Sequence, residues 1–239
     1  MESEKNHLEE LNALKKEYEE FVYIVSHDLK SPMRAINNIT TWIEEDLKST
    51  EDKGILENFG LLKNRVVRLE NMMNSLLELS RVSRFEMELY DVNIPNLIAD
   101  CVEMAVGNSG AVFHMDITLS SETINTLGKK LQKVLLSLFD NAIRFHDKEK
   151  KDIFVAVKET ADQYLFSVRD NGPGIPDDVK EKIFGIFYTV NSKDRVDTTG
   201  AGLAISAKII NMVGGTMRCI TAEDGGSIFE FTWPKVTLI

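Results

Sequence analysis

The sequence predicts an α+β chain in two parts: an antiparallel helical hairpin, followed by an α/β sandwich whose mixed sheet carries its helices on one face. Three observations predict it. Apolar residues recur in alternating steps of three and four from Leu8 to Ile43 and again from Ile55 to Leu76. Beyond residue 95, short β-branched and aromatic runs alternate with helical patterns. The pattern changes between them, after Tyr90–Pro95.

In the first run Leu8, Leu11, Lys15, Tyr18, Val22, Val25, Leu29, Pro32, Ile36, Ile39 and Ile43 keep the spacing, and all but Lys15 are apolar. That is a helix with a coiled-coil seam. Ser49–Gly54 reads as a turn, and Ile55, Phe59, Leu62, Val66, Leu69, Met73 and Leu76 continue the pattern on a second helix. A lone hairpin leaves one side of its stripe in water. Pairing with a second copy as a four-helix bundle buries it, which predicts a homodimer through residues 1–90.

Residues 91–95 are predicted as a linker, with Tyr90–Pro95 as the hinge, and 96–239 as the second domain. Near its start a helix is expected around Ile94–Val106, then strands at Phe113–Leu119 and Thr123–Leu127. A helix from about Lys129 to Phe145 comes next, then strands at Asp152–Glu159 and Gln163–Arg169. The last helix starts near Gly202, and strands at Thr216–Ala222 and Ser227–Trp233 close the chain. Runs such as Ile153–Val157 and Ile228–Phe231 suit a sheet covered by helices. No internal repeat or low-complexity tract interrupts them.

The 239 residues suffice for two ordinary domains, and a 43% hydrophobic content supports packed cores. A formal charge of −10 with no basic stripe argues against a nucleic-acid binder and against a polybasic membrane-surface protein. Small molecules and proteins are the expected partners. No apolar run approaches the roughly eighteen residues that span a bilayer, and the opening residues carry no secretory signal. A cytoplasmic segment without membrane contact is expected. Cys101 and Cys219 stand far apart in no metal-like spacing, which suits a reducing compartment, and no chemistry is assigned to them.

Four short motifs carry the chemistry, in the order Ser26-His27-Asp28-Leu29-Lys30-Ser31-Pro32, Asp140-Asn141-Ala142, Asp170-Asn171-Gly172-Pro173-Gly174 and Gly200-Ala201-Gly202-Leu203. Val25 and Leu29 occupy the seam of the first helix, and His27 falls between them on the flank. A carboxylate beside a histidine can hold one ring nitrogen's proton and leave the other nitrogen nucleophilic, a role open to Asp28. Pro32 removes a backbone donor five residues on and predicts a local bend. An amide oxygen such as that of Asn141 is a neutral hard ligand suited to Mg²⁺. Asp170 ends a strand, and its carboxylate can accept from an amino group while Gly172 and Gly174 let a ligand approach the backbone. Gly200 and Gly202 open a helix whose unpaired amides suit phosphate. A Rossmann reading fails there, because no strand leads directly into the glycines.

With these motifs in this order, the chain resembles the catalytic core of the bacterial-type sensor histidine kinases over about Leu11–Pro234. The resemblance implies a dimerisation and phosphoacceptor hairpin joined to an ATP-binding domain of the wider superfamily that includes ATPases and serine kinases. It implies phosphorylation of His27 from ATP, with Asp28 orienting it, and transfer of the phosphoryl group to an aspartate on a response-regulator receiver domain. It implies a Mg²⁺ ligand in Asn141 and an adenine reader in Asp170. The nucleotide set is completed by Arg144, Phe145, Gly172, Gly174, Phe187, Gly200, Gly202 and Leu203, with Lys193 and Arg195 on a lid between Asn191 and Thr199. A sensor module, N-terminal or separate, is the further partner implied.

The chain departs from that family's pattern in places. Ser137 stands where Asn is common, Thr189 where a basic residue often follows the aromatic pair, Thr198 where a further glycine is frequent, and Arg144 where Lys is common. Ser31, four residues after His27, occupies the position where phosphatase-competent members often have Thr or Asn. These departures keep open a second reading, a dimeric nucleotide-binding scaffold that signals without phosphotransfer. A serine kinase or ATPase of the wider superfamily fits less well, since such proteins lack the histidine-bearing hairpin.

Overall fold

The computed structural model describes residues 18, 22, 23, 25, 29, 30, 33–45, 47, 52–82, 87–190 and 199–235. It divides into two compact units, Met1–Arg81 and Val82–Ile239.

In the first unit, residues 33–45 are helical (α1), as are the described residues before them, and α2 spans Lys53–Arg81. Asp52 starts α2 by capping: its Oδ1 accepts from the amides of Gly54 and Ile55 at 2.9 and 3.2 Å. The helices run antiparallel. Lys63 near the start of α2 pairs with Glu44 near the end of α1, and Arg81 at the end of α2 lies 5.2 Å over the Tyr23 ring. On α2 Val66, Met73 and Leu77 are buried. Val66 and Met73 belong to the expected seam, whereas its members Leu29, Ile36, Ile39, Leu62 and Leu69 are 43–50% exposed on the single chain. Among the described residues no helix is long and apolar enough to cross a membrane.

The second unit begins with β1 (Tyr90–Asn93), antiparallel to β3 (Thr123–Thr126). Here the predicted linker is corrected. Tyr90–Asn93 is a strand, Ile94 and Pro95 open α3 (Ile94–Val106), and the Ile94 amide donates to the Glu122 carbonyl at 2.8 Å. The reason is burial: Val92 and Ile94 are 6% and 1% exposed, so this short stretch packs as part of the domain. Asn93 caps α3 through Oδ1 to the Asn96 amide at 3.0 Å, with Pro95 in the first turn, where its missing donor costs nothing. The boundary between units therefore lies at Arg81–Val82 rather than at residues 91–95.

The main sheet has five strands in the order β2-β4-β5-β7-β6: β2 Val112–Thr118, β4 Asp152–Glu159, β5 Gln163–Asp170, β6 Met217–Thr221 and β7 Ser227–Pro234. Only the β2–β4 pairing is parallel, so the sheet is mixed as expected. Alternation decides its faces. Ile153, Val155, Val157, Phe166, Val168, Phe229, Phe231 and Trp233 point to one side and are at most 2% exposed, while Phe154 on the other side is 40% exposed. Against the covered face lie α3, α4 (Gly128–Arg144) and α5 (Gly202–Met212), with Leu131, Leu135, Leu138, Phe139, Ile209 and Ile210 wholly buried. Rings stack within this core: Phe166 and Phe231 sit 4.8 Å apart at 3°.

Trp233 ties the two sheets together, since its indole Nε1 donates to Thr126 Oγ1 at 2.7 Å and both residues are at most 2% exposed. Thr126→Val leaves that buried donor unpaired. The expected cost is about 1–3 kcal/mol of stability, read by chemical denaturation.

Candidate functional site

A cavity of about 800 Å³ opens in the second unit between the C-terminal half of α4, the N-terminus of α5 and the ends of β5, β6 and β7. Its volume suits a small-molecule ligand. Of the sequence-predicted nucleotide residues, Asn141, Arg144, Phe145, Asp170, Gly174, Gly200, Gly202 and Leu203 all line it. Gly172 and Phe187 are not on the wall and act as supports. His27, Asp28, Ser31, Lys193 and Arg195 lie outside the described residues.

Asp170, the last residue of β5, is 8% exposed. Its Oδ1 accepts from the Gly172 amide at 2.9 Å and the Ser227 amide at 3.2 Å, which leaves Oδ2 for a ligand. Burial pushes the carboxyl above its ordinary range, and the two amides oppose that shift. Ser227 belongs to a wall that sequence reading missed: Thr221, Gly225, Gly226, Ser227 and Phe229 come from β6, β7 and their turn. Asp224-Gly225-Gly226 between two strands is a hairpin signal, but nothing local says that the turn returns to Asp170. Arg169 holds the same turn from the far side of the sheet, bonded to Asp224 at 3.0 Å.

Gly226 has φ +91°, and a Cβ there would lie 2.1 Å from the Asp170 carbonyl oxygen. Gly226→Ala therefore forces the hairpin away from Asp170. We expect at least ~2 kcal/mol of lost stability, seen as a lower denaturation midpoint.

On the opposite wall α5 starts after Ala201 with no side-chain cap, so its first amides face the cavity without side-chain partners. Gly200 has φ +69°, and a Cβ would meet the Tyr188 carbonyl at 2.6 Å. The Phe187 amide, in a left-handed conformation at φ 62°, donates to the Gly200 carbonyl at 2.9 Å. That bond joins the aromatic segment 184–187 to the glycine turn. Thr189 lines the wall beside it, and its buried hydroxyl has no partner among the described residues.

Asn141 reaches the cavity from α4, directly after Asp140, whose ion pair with Arg144 spans the same turn at 2.6 Å. Arg144 is the only cationic side chain of the described lining, against Asp140 and Asp170. Among the described residues no cluster of three or more His, Cys, Asp or Glu could hold a metal by itself. A lone Asn amide fits a cation that takes its other ligands from phosphate and water, the habit of Mg²⁺. Neither cysteine has reactive character: burial pushes the Cys101 thiol up to about 12 and the Cys219 thiol to about 11.

Such a cavity, with a buried strand-end aspartate facing glycine turns at a helix N-terminus, defines a nucleotide-binding domain. Residues 126–237 match the family model described as Histidine kinase-, DNA gyrase B-, and HSP90-like ATPase. Over 94% of its length the chain is 30% identical to the Methanogenesis regulatory histidine kinase FilI of Methanothrix harundinacea (strain 6Ac), of which it covers 25%. The solved catalytic domain of histidine kinase ThkA matches at 29% identity and TM-score 0.55, over 62% of this chain and 97% of that one. Histidine kinase ThkA in complex with response regulator protein TrrA shares the fold at TM-score 0.61 and 23% identity, over 99% of this chain and 66% of that one. The chain is similar over most of its length to the catalytic core of sensor histidine kinases, the likeness that its motif order implies. It spans about a quarter to a third of the length of the first curated relatives it matches.

Proposed function

We propose that this chain binds ATP in the cavity, transfers the γ-phosphoryl group to His27, and passes it to an aspartate of a response-regulator receiver domain. One observation carries the reading: Asp170, Asn141 and the open N-terminus of α5, far apart in sequence, surround one cavity of nucleotide size. Asp170 Oδ2 accepts the adenine amino group, and the α5 amides, with the positive end of the helix dipole, hold the phosphates. Asn141 would bind Mg²⁺, which supplies charge neutralisation of the phosphates when present. His27 attacks the γ-phosphorus in line, its second ring nitrogen held by Asp28, and ADP leaves. Phosphohistidine then gives the phosphoryl group to an aspartate carboxylate, regenerating neutral His27.

The exposed seam supports the homodimer: Leu29, Ile36 and Ile39 on α1 with Leu62 and Leu69 on α2 are apolar surface that a second copy covers as a four-helix bundle. A receiver domain as partner is supported by the likeness to the ThkA–TrrA complex. A sensor module, a cytoplasmic location and phosphatase action by Ser31 belong to the same proposal. The scaffold reading keeps a specific motive in Ser137 and Thr189, which put hydroxyls on the wall where the family resemblance leads one to expect an amide and a cation.

Incubation with Mg²⁺ and γ-labelled ATP separates the two. The kinase reading predicts label on the chain that acid removes and alkali preserves, then moves to an added receiver domain. ATP bound with no label on the chain supports the scaffold.

A further inference from the structure

Lys180 follows the short 3-10 turn Asp177–Val179 in the loop after Gly174, and the chemistry above does not use it. Its side chain is only 19% exposed. Nζ pairs with Asp177 Oδ1 at 2.5 Å and donates to Thr221 Oγ1. Thr221 lines the cavity on the same hairpin that sends the Ser227 amide to Asp170. Lys180 is thus tied to the wall of the cavity through a single hydroxyl.

An ammonium group has donors and no lone pair, so Thr221 Oγ1 must accept from Lys180. A hydroxyl that accepts from a cation is polarised to donate its own proton. The protein acceptor within reach is Asp177 Oδ1, at a long 3.5 Å. A ligand ring nitrogen in the cavity offers a better one. Asp170 Oδ2, an acceptor, and Thr221, a donor, then face the base together. Adenine presents an amino donor beside a ring-nitrogen acceptor, which complements that pair. Guanine presents a carbonyl acceptor beside an N–H donor, which opposes it.

We propose that Lys180 is a positioning residue for base selection: by holding Thr221 Oγ1 it turns that hydroxyl into a donor beside Asp170, so the cavity favours adenine over guanine nucleotides. The proposal rests on the ATP reading of the cavity.

The test measures ATP and GTP affinities by calorimetry for the protein, Lys180→Met, Lys180→Arg, Thr221→Val and the Lys180→Met/Thr221→Val double variant. Thermal unfolding confirms that each is folded. We expect Lys180→Met to lower the ATP-to-GTP affinity ratio roughly fivefold to tenfold, and Lys180→Arg to restore most of it. Thr221→Val should lower the ratio similarly, and Lys180→Met should add nothing in that background, because Lys180 acts through the hydroxyl. An unchanged ratio in Lys180→Met, even if both affinities fall, overturns the proposal. So does a further drop in the double variant. Failure of the unaltered protein to bind either nucleotide instead overturns the ATP reading beneath it.

Discussion

Asp170→Asn is expected to weaken ATP binding by roughly a hundredfold or more while leaving the domain folded. The amides of Gly172 and Ser227 both point at Oδ1, so the substituted amide must keep its oxygen there. Its NH₂ then faces the cavity, where the base presents an amino group of its own. Two donors meet, and the acceptor is lost. Folding should not suffer: burial raises the Asp170 carboxyl above its ordinary value of 3.8, so ionising it costs stability as pH rises through the folded value, and Asn removes that cost. Binding has the opposite sign, since the ionised carboxylate is the acceptor. On acidification, ATP affinity of the unaltered protein should therefore fall at a pH above 3.8, earlier than an unperturbed aspartate would allow. Calorimetric titration of ATP against pH, paired with denaturation of both proteins, reads the two effects separately. Equal ATP affinity in Asp170→Asn would remove Asp170 from base recognition.

His27→Gln should abolish phosphorylation of the chain completely and leave ATP affinity unchanged. The described lining of the cavity comes from residues 137–229, all in the second unit, and His27 is not among them. Gln keeps helical propensity and hydrogen-bonding capacity but has no nucleophilic ring nitrogen. Labelling with γ-labelled ATP, set beside calorimetry on the same preparation, makes the comparison. Reduced ATP affinity alongside lost label would mean that His27 serves the nucleotide site rather than receiving the phosphoryl group.

Much of the second domain was legible in the sequence because its signals are local. Ile153–Val157 is a continuous apolar run, mainly β-branched and aromatic, that reads as a strand under helices, and α4 shows its buried stripe at Leu131, Leu135 and Leu138. The glycines of two cavity walls stand out in the sequence, and the fold uses them at φ +79° at Gly174 and +69° at Gly200, where a side chain is strained. What escaped depends on distant pairing. Tyr90-Asp91-Val92-Asn93 reads as a polar linker until Thr123–Thr126 lies beside it. Ser227 reads as a strand residue until register brings its amide to Asp170, 57 positions away. Lys180 reads as one lysine in a charged loop, and only the fold shows that it reaches Thr221. The seam carries the reverse lesson: its heptad spacing was plain in the sequence, yet Leu29 and Ile39 each stand 48% exposed on the single chain.

The most direct measurement of the central claim is to incubate the protein with Mg²⁺ and ATP, digest it at neutral to alkaline pH, and locate the phosphoryl group by mass spectrometry. We expect phosphate on His27. Phosphate on Ser26 or Ser31 instead, or no phosphopeptide from protein that binds ATP, would contradict it.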